Sequence, residues 1–512
     1  MGLEGVGDPG GACAGQRAIT RLHGRSGRRS QDPSSRAVGA GALDAAAEPH
    51  RAVNTTAHSR RGGDTQRQRL VAAIVQVTGE HGYETTTVAR VIGRAGVSRP
   101  TFYEHFAGKD EGLLAASREI EERVIRDVRR SVARQPPEQA AAAAAAALVA
   151  FADGEPAAAR VLMGETLAGG RALLDARDRA IEAIAGLIEA AYDRADPAIS
   201  APDLSPVALI GGVQRLLAAR LRRGESEIGR LADELSSWME SYRTPLEQHR
   251  WRTLSPLPAA ARSPFLPGAP LRAPAPLGPG RPRQGRQAVA EIHRQRILFA
   301  TAEILQGDGY GGVSVAEITR RAGVDPRSFY TLFTGKQDVL TAVAELTFQH
   351  AMAVTAGAYF CAEDWPQRVW QAGRTLTQYL EQNPLLSRVS LLEGYAGGPE
   401  TVQRLEDLLG AFTIFLQDGY QETPLAGEPS AVALEALAST AFEIGYRHAR
   451  GRRRGLDGLS GLLGPLAHLC LAPFLGSAAA NEHIERMSSA SGSRTPAVYG
   501  QRSAGGTCGQ PW

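Results

Sequence analysis

Apolar residues along this chain recur at three- and four-residue spacing rather than alternating, so the elements they predict are helices and the fold class is all-α. Leu70, Ile74 and Val77 share one helical face, and the run stops at Gly82, a residue suited to the left-handed turn that ends a helix. Thr87 stands where its hydroxyl caps a second helix through Arg94, closed by Gly96, and Ser98 caps a third through Phe106. Two short helices around a tight glycine turn describe a helix-turn-helix. Phe102 and Phe106 lie on the face that packs against the first helix and read as core. An amphipathic helix then runs to about Arg134, with Arg118 to Arg130 as its solvated face. The Ala-rich segment Gln139 to Phe151 follows, then apolar stretches around Leu162, Ile181 to Tyr192, Val207 to Leu221 and Ile228 to Tyr242.

The same punctuation returns. At an offset of roughly 227 residues, Arg67–Ala116 aligns with Arg294–Val343 without a gap, about 19 of 50 positions being identical, which is duplication. Gly309, a Ser314 cap, Gly323 and an Asp325 cap repeat the helix boundaries. Further helical stretches follow at Trp365–Leu380, Leu385–Tyr395, Val402–Phe415, Ala431–Tyr446 and Leu456–Leu475. Each half thus has room for about five helices beyond its head, enough for a regulatory or dimerisation domain. Gly169, Gly170 and Gly211 either permit close helix packing or sit in loops.

Between and outside the repeats the pattern fades. Residues 1–62 are Gly, Ala, Ser and Arg with too few large apolar groups for a core. Prolines crowd 245–286, which reads as a linker able to span some tens of ångströms at roughly 3.1 Å per residue. The expected organisation is a disordered tail 1–62, a head 63–116, a helical domain 117–244, the linker, a second head 287–343, a second helical domain 344–478 and a loose tail 479–512.

Composition adds exclusions. At 512 residues one core is unlikely to suffice, and a net charge of +3 is too small to argue for nucleic acid, so any such claim rests on local patches. Cys13, Cys361, Cys470 and Cys508 form no paired spacing, which fits a reducing cytoplasm and argues against a metal site; Cys470 and His468 read as core-facing. The N-terminal stretch lacks the apolar run of a secretory signal. Gly458–Ala480 carries no charge and is long enough to raise a membrane span, but Pro465 and Pro473 interrupt it, and it reads as a buried last helix. Neither a nucleophilic triad, a phosphate loop nor a ligand set is present, so no enzyme and no cofactor are expected.

Lys109 and Lys336 are the chain's two lysines, and they occupy the same place in the two repeats, at the start of a helix. A compact ammonium beside free backbone N–H groups suits a phosphate. The string Gly82-Tyr83, Thr87-Val88-Ala89, Ala95-Gly96-Val97-Ser98, Phe102 to Phe106 and Gly108 to Leu114 resembles the N-terminal domain of the TetR/AcrR family of transcription regulators. The resemblance implies a three-helix DNA-binding head, a connecting helix and an all-α domain that dimerises and often binds a small effector. It places Ser98, Arg99, Pro100, Thr101 and Tyr103 on the recognition helix, with Tyr103, His105 and Lys109 toward phosphates and Thr87 near the backbone of double-stranded DNA.

The second copy departs from this pattern. Leu332 replaces His105, and Asp325-Pro326-Arg327 replaces Ser98-Arg99-Pro100, putting a carboxylate where a phosphate would approach. Arg327, Ser328, Tyr330 and Lys336 remain its candidate contacts, and the expectation is weaker or altered reading by this head. The working expectation is a cytoplasmic repressor whose halves pair within one chain, a homodimer of full chains being the other arrangement. The competing function is a helical sensing or interaction module in which one or both heads no longer bind DNA. Trp365, Trp370 and Tyr379, and Trp238, Tyr242 and Trp251, either line a ligand pocket or form plain core.

Overall fold

The computed structural model describes residues 53–165, 170–195, 204–242, 262–278, 285–421, 429–451 and 456–492. Apart from the first turns of the opening helix, these lie in the compact unit Arg60–Trp512. Among the described residues there is no strand. The first half comprises α1 (Val53–His81), α2 (Val88–Ala95), α3 (Arg99–His105), α4 (Lys109–Ala133), α5 (Ala140–Gly154), α6 (Gly170–Tyr192), α7 (Pro206–Arg222) and α8 (Leu231–Glu240). The second comprises α9 (Arg286–Asp308), α10 (Val315–Ala322), α11 (Pro326–Leu332), α12 (Lys336–Phe360), α13 (Trp365–Gln382), α14 (Pro399–Ala411), α15 (Ala431–Gly451), α16 (Leu463–Leu475) and a final α17 (Ser477–Gly492). The repeat extends past the recognition helices: α10, α11 and α12 begin and end at positions displaced by 227 from α2, α3 and α4, and the π turn at Arg160–Gly164 recurs, displaced by two residues more, at Val389–Glu393.

Each head closes as its punctuation demands. Thr87 and Ser98 accept hydrogen bonds from the amides of Arg90 and Thr101, and Gly96 ends α2 at φ 62°. Ser314, Asp325 and Gly323 at φ 61° do the same in the second copy. The Arg69 guanidinium donates to the carbonyls of Ala95 and Gly96, and Arg296 donates to Ala322, so an arginine from the first helix fastens the turn in both heads. Phe102 and Phe329 are fully buried, each with its ring 5.8 Å from that of Phe106 or Phe333.

A paired size exchange separates the two head cores. Gly112 lets α4 approach α1 so closely that a Cβ there would lie 2.7 Å from Ile74 Cδ1. In the second copy the equivalent residues are Val339 and Thr301, both buried, the threonine donating to the Ile297 carbonyl at 2.9 Å. Gly112→Val alone is expected to cost about 1–3 kcal/mol through overpacking. Adding Ile74→Thr should recover most of it, measured by thermal unfolding; no recovery would show that the two positions are not coupled.

The halves pair through α7 and α15. Arg215 stacks over Phe442 at 4.3 Å, and Tyr242 donates to the Leu469 carbonyl at 3.0 Å. Helices α7 and α15 are counterparts, each opening on the same string at Ser205 and Ser430, so equivalent elements of the two halves pack together, as about a pseudo-twofold within one chain. Gly211 is a close-packing residue: a Cβ on it would sit 2.5 Å from Glu443 Cγ, and one on Gly212 would overlap Thr440. At the centre Glu443, fully buried, accepts from Arg177 at 2.9 Å and Arg215 at 3.1 Å.

Several sequence expectations change. Helix α1 begins at Val53, inside the stretch expected to be a disordered tail. The described part of the proline-rich segment is seated on the second half: Ser263 receives a bond from or gives one to Thr375, its amide donates to Gln378, Leu271 donates to Asn383, and Gln382 donates to the Pro267 carbonyl. Regular extended chain offers unpaired amides and carbonyls that the polar edge of α13 can satisfy. Gly458–Ala480 is a short 3-10 turn and α16, not the last helix, since α17 follows with Ala480 and Ile484 buried. Small apolar side chains at spacing four suffice to dock that helix, which compositional reading took for a loose tail. Residues 1–52, 243–261 and 493–512, including Trp251, Cys13 and Cys508, lie outside the described residues.

Candidate nucleic-acid interface and an adjoining cavity

Helix α3 carries five of the expected contacts or their cap on seven residues. Arg99 and Pro100 are exposed in its first turn, Ser98 and Thr101 share a hydroxyl hydrogen bond of 2.8 Å, and the Tyr103 ring is half exposed. That ring packs edge-on against Phe102, so its hydroxyl is presented from a rigid base. Thr87 lies exposed at the start of the neighbouring α2. In the second head Arg327 and Tyr330 are exposed in the same places.

Two assignments look different in the structure. His105 is half buried, its Nε2 enclosed without a hydrogen-bond partner among the described residues, and Leu332 fills the same place in the second copy. The His-to-Leu change therefore falls at a packing position rather than at an open phosphate donor. Ser328 spends its amide and hydroxyl on Asp325, at 2.9 and 2.6 Å, which leaves no free donor hydrogen on its hydroxyl. That hydroxyl and the amides behind it hold the Asp325 carboxyl below its ordinary range, so it stays charged on the exposed end of α11.

The lysines have a local partner that sequence reading missed. Lys109 Nζ lies 4.1 Å over the Tyr83 ring and donates to the Tyr83 carbonyl at 3.1 Å, while Lys336 lies 4.2 Å over Tyr310. The repeated Gly-Tyr pair was the available signal: the glycine turns the chain and the tyrosine becomes a platform for the ammonium. Both lysines are only half buried. Each therefore joins the loop after the first helix to the start of the connecting helix and keeps part of its surface open.

A second unforeseen difference is on α10. Glu317 occupies the place of Arg90 and pairs with both Arg320 and Arg321, at 2.5 and 3.0 Å. Those arginines are exposed on the second head but largely neutralised. The heads also touch: Gln337 donates to Glu84 at 3.1 Å.

Behind the second head lies a cavity of about 250 Å³ between α12, α13, α14, α15 and α16. Phe348, Leu376, Leu409 and Ala441 line it, no charged side chain does, and the hydroxyls of Thr355 and Ser387 are buried there without partners among the described residues. Ser387 and Leu391 come from the stretch Pro384–Glu393, whose Leu386 and Val389 belong to the core of the second head. At the position equivalent to Phe348 the first half carries Glu121. Trp365, Trp370, Tyr379, Trp238 and Tyr242 are plain core: Trp365 donates to Phe415 and Trp238 to Tyr242, and none lines the cavity. His468 is buried beside Tyr242 and bonded to Ser477 at 3.2 Å.

The family model described as bacterial regulatory proteins, tetR family, matches residues 70–116 and 297–343. No curated protein matches the chain in sequence. Among solved structures, the fatty acid degradation regulator FadR from Bacillus halodurans is similar at 18% identity and TM-score 0.33, covering 38% of this chain and 99% of its own. A TetR family transcription regulator from Marinobacter aquaeolei is similar at 20% identity and TM-score 0.29, covering 35% and 96%. SmeT, the repressor of the Stenotrophomonas maltophilia multidrug efflux pump SmeDEF, is similar at 19% identity and TM-score 0.28, covering 35% and 93%. With these two matches on a frame that is helical throughout its regular elements among the described residues, the chain carries two TetR-type units in tandem.

Proposed function

We propose that the chain is a cytoplasmic repressor that presents two non-identical recognition helices, α3 and α11, to one asymmetric operator, and that a small uncharged effector releases it. The observation that carries this reading is the pseudo-twofold pairing of the halves, which gives one polypeptide the two heads that a homodimer would otherwise supply. The domains assigned are heads at 63–116 and 287–343 and regulatory domains at 117–244 and 344–478, the second extended by α17. Ser98, Arg99, Pro100, Thr101 and Tyr103 read bases or the backbone beside them in the first head, with Thr87 and Lys109 on phosphates. Arg327, Tyr330 and Lys336 serve the second head, whose Asp325 and paired Glu317 make it the weaker binder.

The effector belongs in the cavity behind the second head. Its lining favours an apolar molecule without charge, carrying a group that hydrogen-bonds Thr355 or Ser387. Filling it displaces Pro384–Glu393, which holds the second head from the other side, and so tilts one head of the pair.

Titrating the chain onto DNA from upstream of its own gene, across salt, tests the reading. Lys109→Ala with Lys336→Ala is expected to weaken binding to all sequences and to reduce the salt slope by about 2. Arg99→Ala should instead relax sequence preference by about 1–3 kcal/mol. An unchanged salt slope with a lowered melting temperature would leave the lysines as fasteners of the Tyr83 and Tyr310 loops alone. No binding above random DNA would favour a sensing module that keeps the fold.

A further inference from the structure

We infer that the two halves have diverged into complementary partners, so that the pairing face of each accepts the other and rejects a copy of itself. The inference rests on the reading that one chain makes the pair, and it adds which pairings the face permits. Arg215 from the first half enters a cage of Tyr395, Phe442 and Tyr446 of the second, its guanidinium carbon 4.8, 4.3 and 5.6 Å from their ring centres, and reaches Glu443. Arg177 reaches the same carboxylate. The paired helices open on the same string, Ser205 to Leu209 matching Ser430 to Leu434, so Glu443 corresponds to Ala218, Phe442 to Leu217 and Tyr446 to Leu221. The first half therefore has neither the acid nor the cage.

Two first halves brought together would bury Arg215 of each against Leu217, Ala218 and Leu221 of the other, with no acid to receive it. A buried charge without its partner opposes association. Two second halves fail for a different reason. Thr440 and Glu443 fit because Gly211 and Gly212 face them, and a Cβ on Gly211 would already lie 2.5 Å from Glu443 Cγ. Their counterparts are Ala436 and Leu437, which carry that Cβ. In such a pair Arg215 is also missing, its counterpart being Thr440. At the more exposed edge the charges run the other way, Arg447 and Arg450 of the second half meeting Glu182, Asp175 and Asp178 of the first. Charge, cage and glycine pair thus all specify unlike partners, the combination of attraction and exclusion by which specific interfaces are built.

The test folds the whole chain first and then cuts it at a protease site inserted within 245–261, in light- and heavy-isotope preparations. These are mixed at a denaturant concentration chosen so that light and heavy fragments exchange, and native masses are read. First–second pairs are expected, light and heavy scrambled, with first–first and second–second pairs below about a tenth of them. Gly211→Ala with Gly212→Ser, and separately Glu443→Arg, should weaken the cut pair by about a hundredfold or more. Like pairs near their statistical share overturn the inference, as does a Glu443→Arg pair as tight as the parent. The uncut chain separates the two claims: a mass of two full chains counts against intrachain pairing itself, whereas a single-chain mass with promiscuous fragments counts only against complementarity.

Discussion

Glu443→Ala is expected to destabilise the paired domains by about 3–5 kcal/mol, because it leaves the buried Arg215 without a carboxylate and the buried Arg177 with Asp178 alone. Equilibrium unfolding in denaturant would read this as a lower midpoint for the parent transition. The loss is the cost of leaving charges unpaired, not the worth of the bridge. Replacing Glu443, Arg177 and Arg215 together with leucine should therefore be close to neutral, or stabilising, while abolishing the discrimination argued above. If the single and triple variants are equally unstable, the cluster contributes through packing alone.

Acid gives an independent reading. Burial pushes the Glu443 carboxyl up, but Arg177 and Arg215 outweigh it and hold the group at about 2, against an ordinary 4.5. A carboxyl depressed in the folded state stabilises fully above its unfolded value, and that contribution drains away as pH falls from 4.5 toward 2. The stability gap between parent and Glu443→Ala should hold steady at neutral pH and narrow across that acid window. A gap that does not narrow would mean that the carboxylate is not the source of the difference.

The heads were legible because their determinants are local. Caps, a left-handed glycine and a phenylalanine one turn from the next each lie within a few residues of what they fix, so Thr87, Ser98, Gly96 and Phe102 declare themselves in the string. The pairing face was not, since Glu443 acquires its meaning only when Arg177 and Arg215, more than two hundred residues away, fold against it. The lysines fell between these cases. Their repetition signalled a role, and the ammonium was assigned to a phosphate, but its nearest partner is a tyrosine twenty-six residues earlier. Composition misled at the chain's edges, where the seated proline segment and α17 use few large apolar groups.

Phe102→Ala and Phe329→Ala are expected to have unequal effects on DNA although they are equal in the fold. Both rings are fully buried, each braces an exposed tyrosine, and each truncation should cost its own head about 3–5 kcal/mol. Because the pairing face lies on α7 and α15, far in sequence from either head core, hydrogen exchange should rise over residues 70–116 in one variant and 297–343 in the other, with the paired helices still protected. The consequences for an operator differ because the first head offers Arg99 beside an uncharged Ser98 cap and carries Arg90 where the second has Glu317, whereas the second offers Asp325 and arginines held by that Glu317. Loss of the first head should reduce affinity by about tenfold more than loss of the second, each shortening the protected DNA to one half-site. Equal losses would show that the acidic groups of the second head do not weaken it, and a larger loss from Phe329→Ala would make α11 the dominant reader.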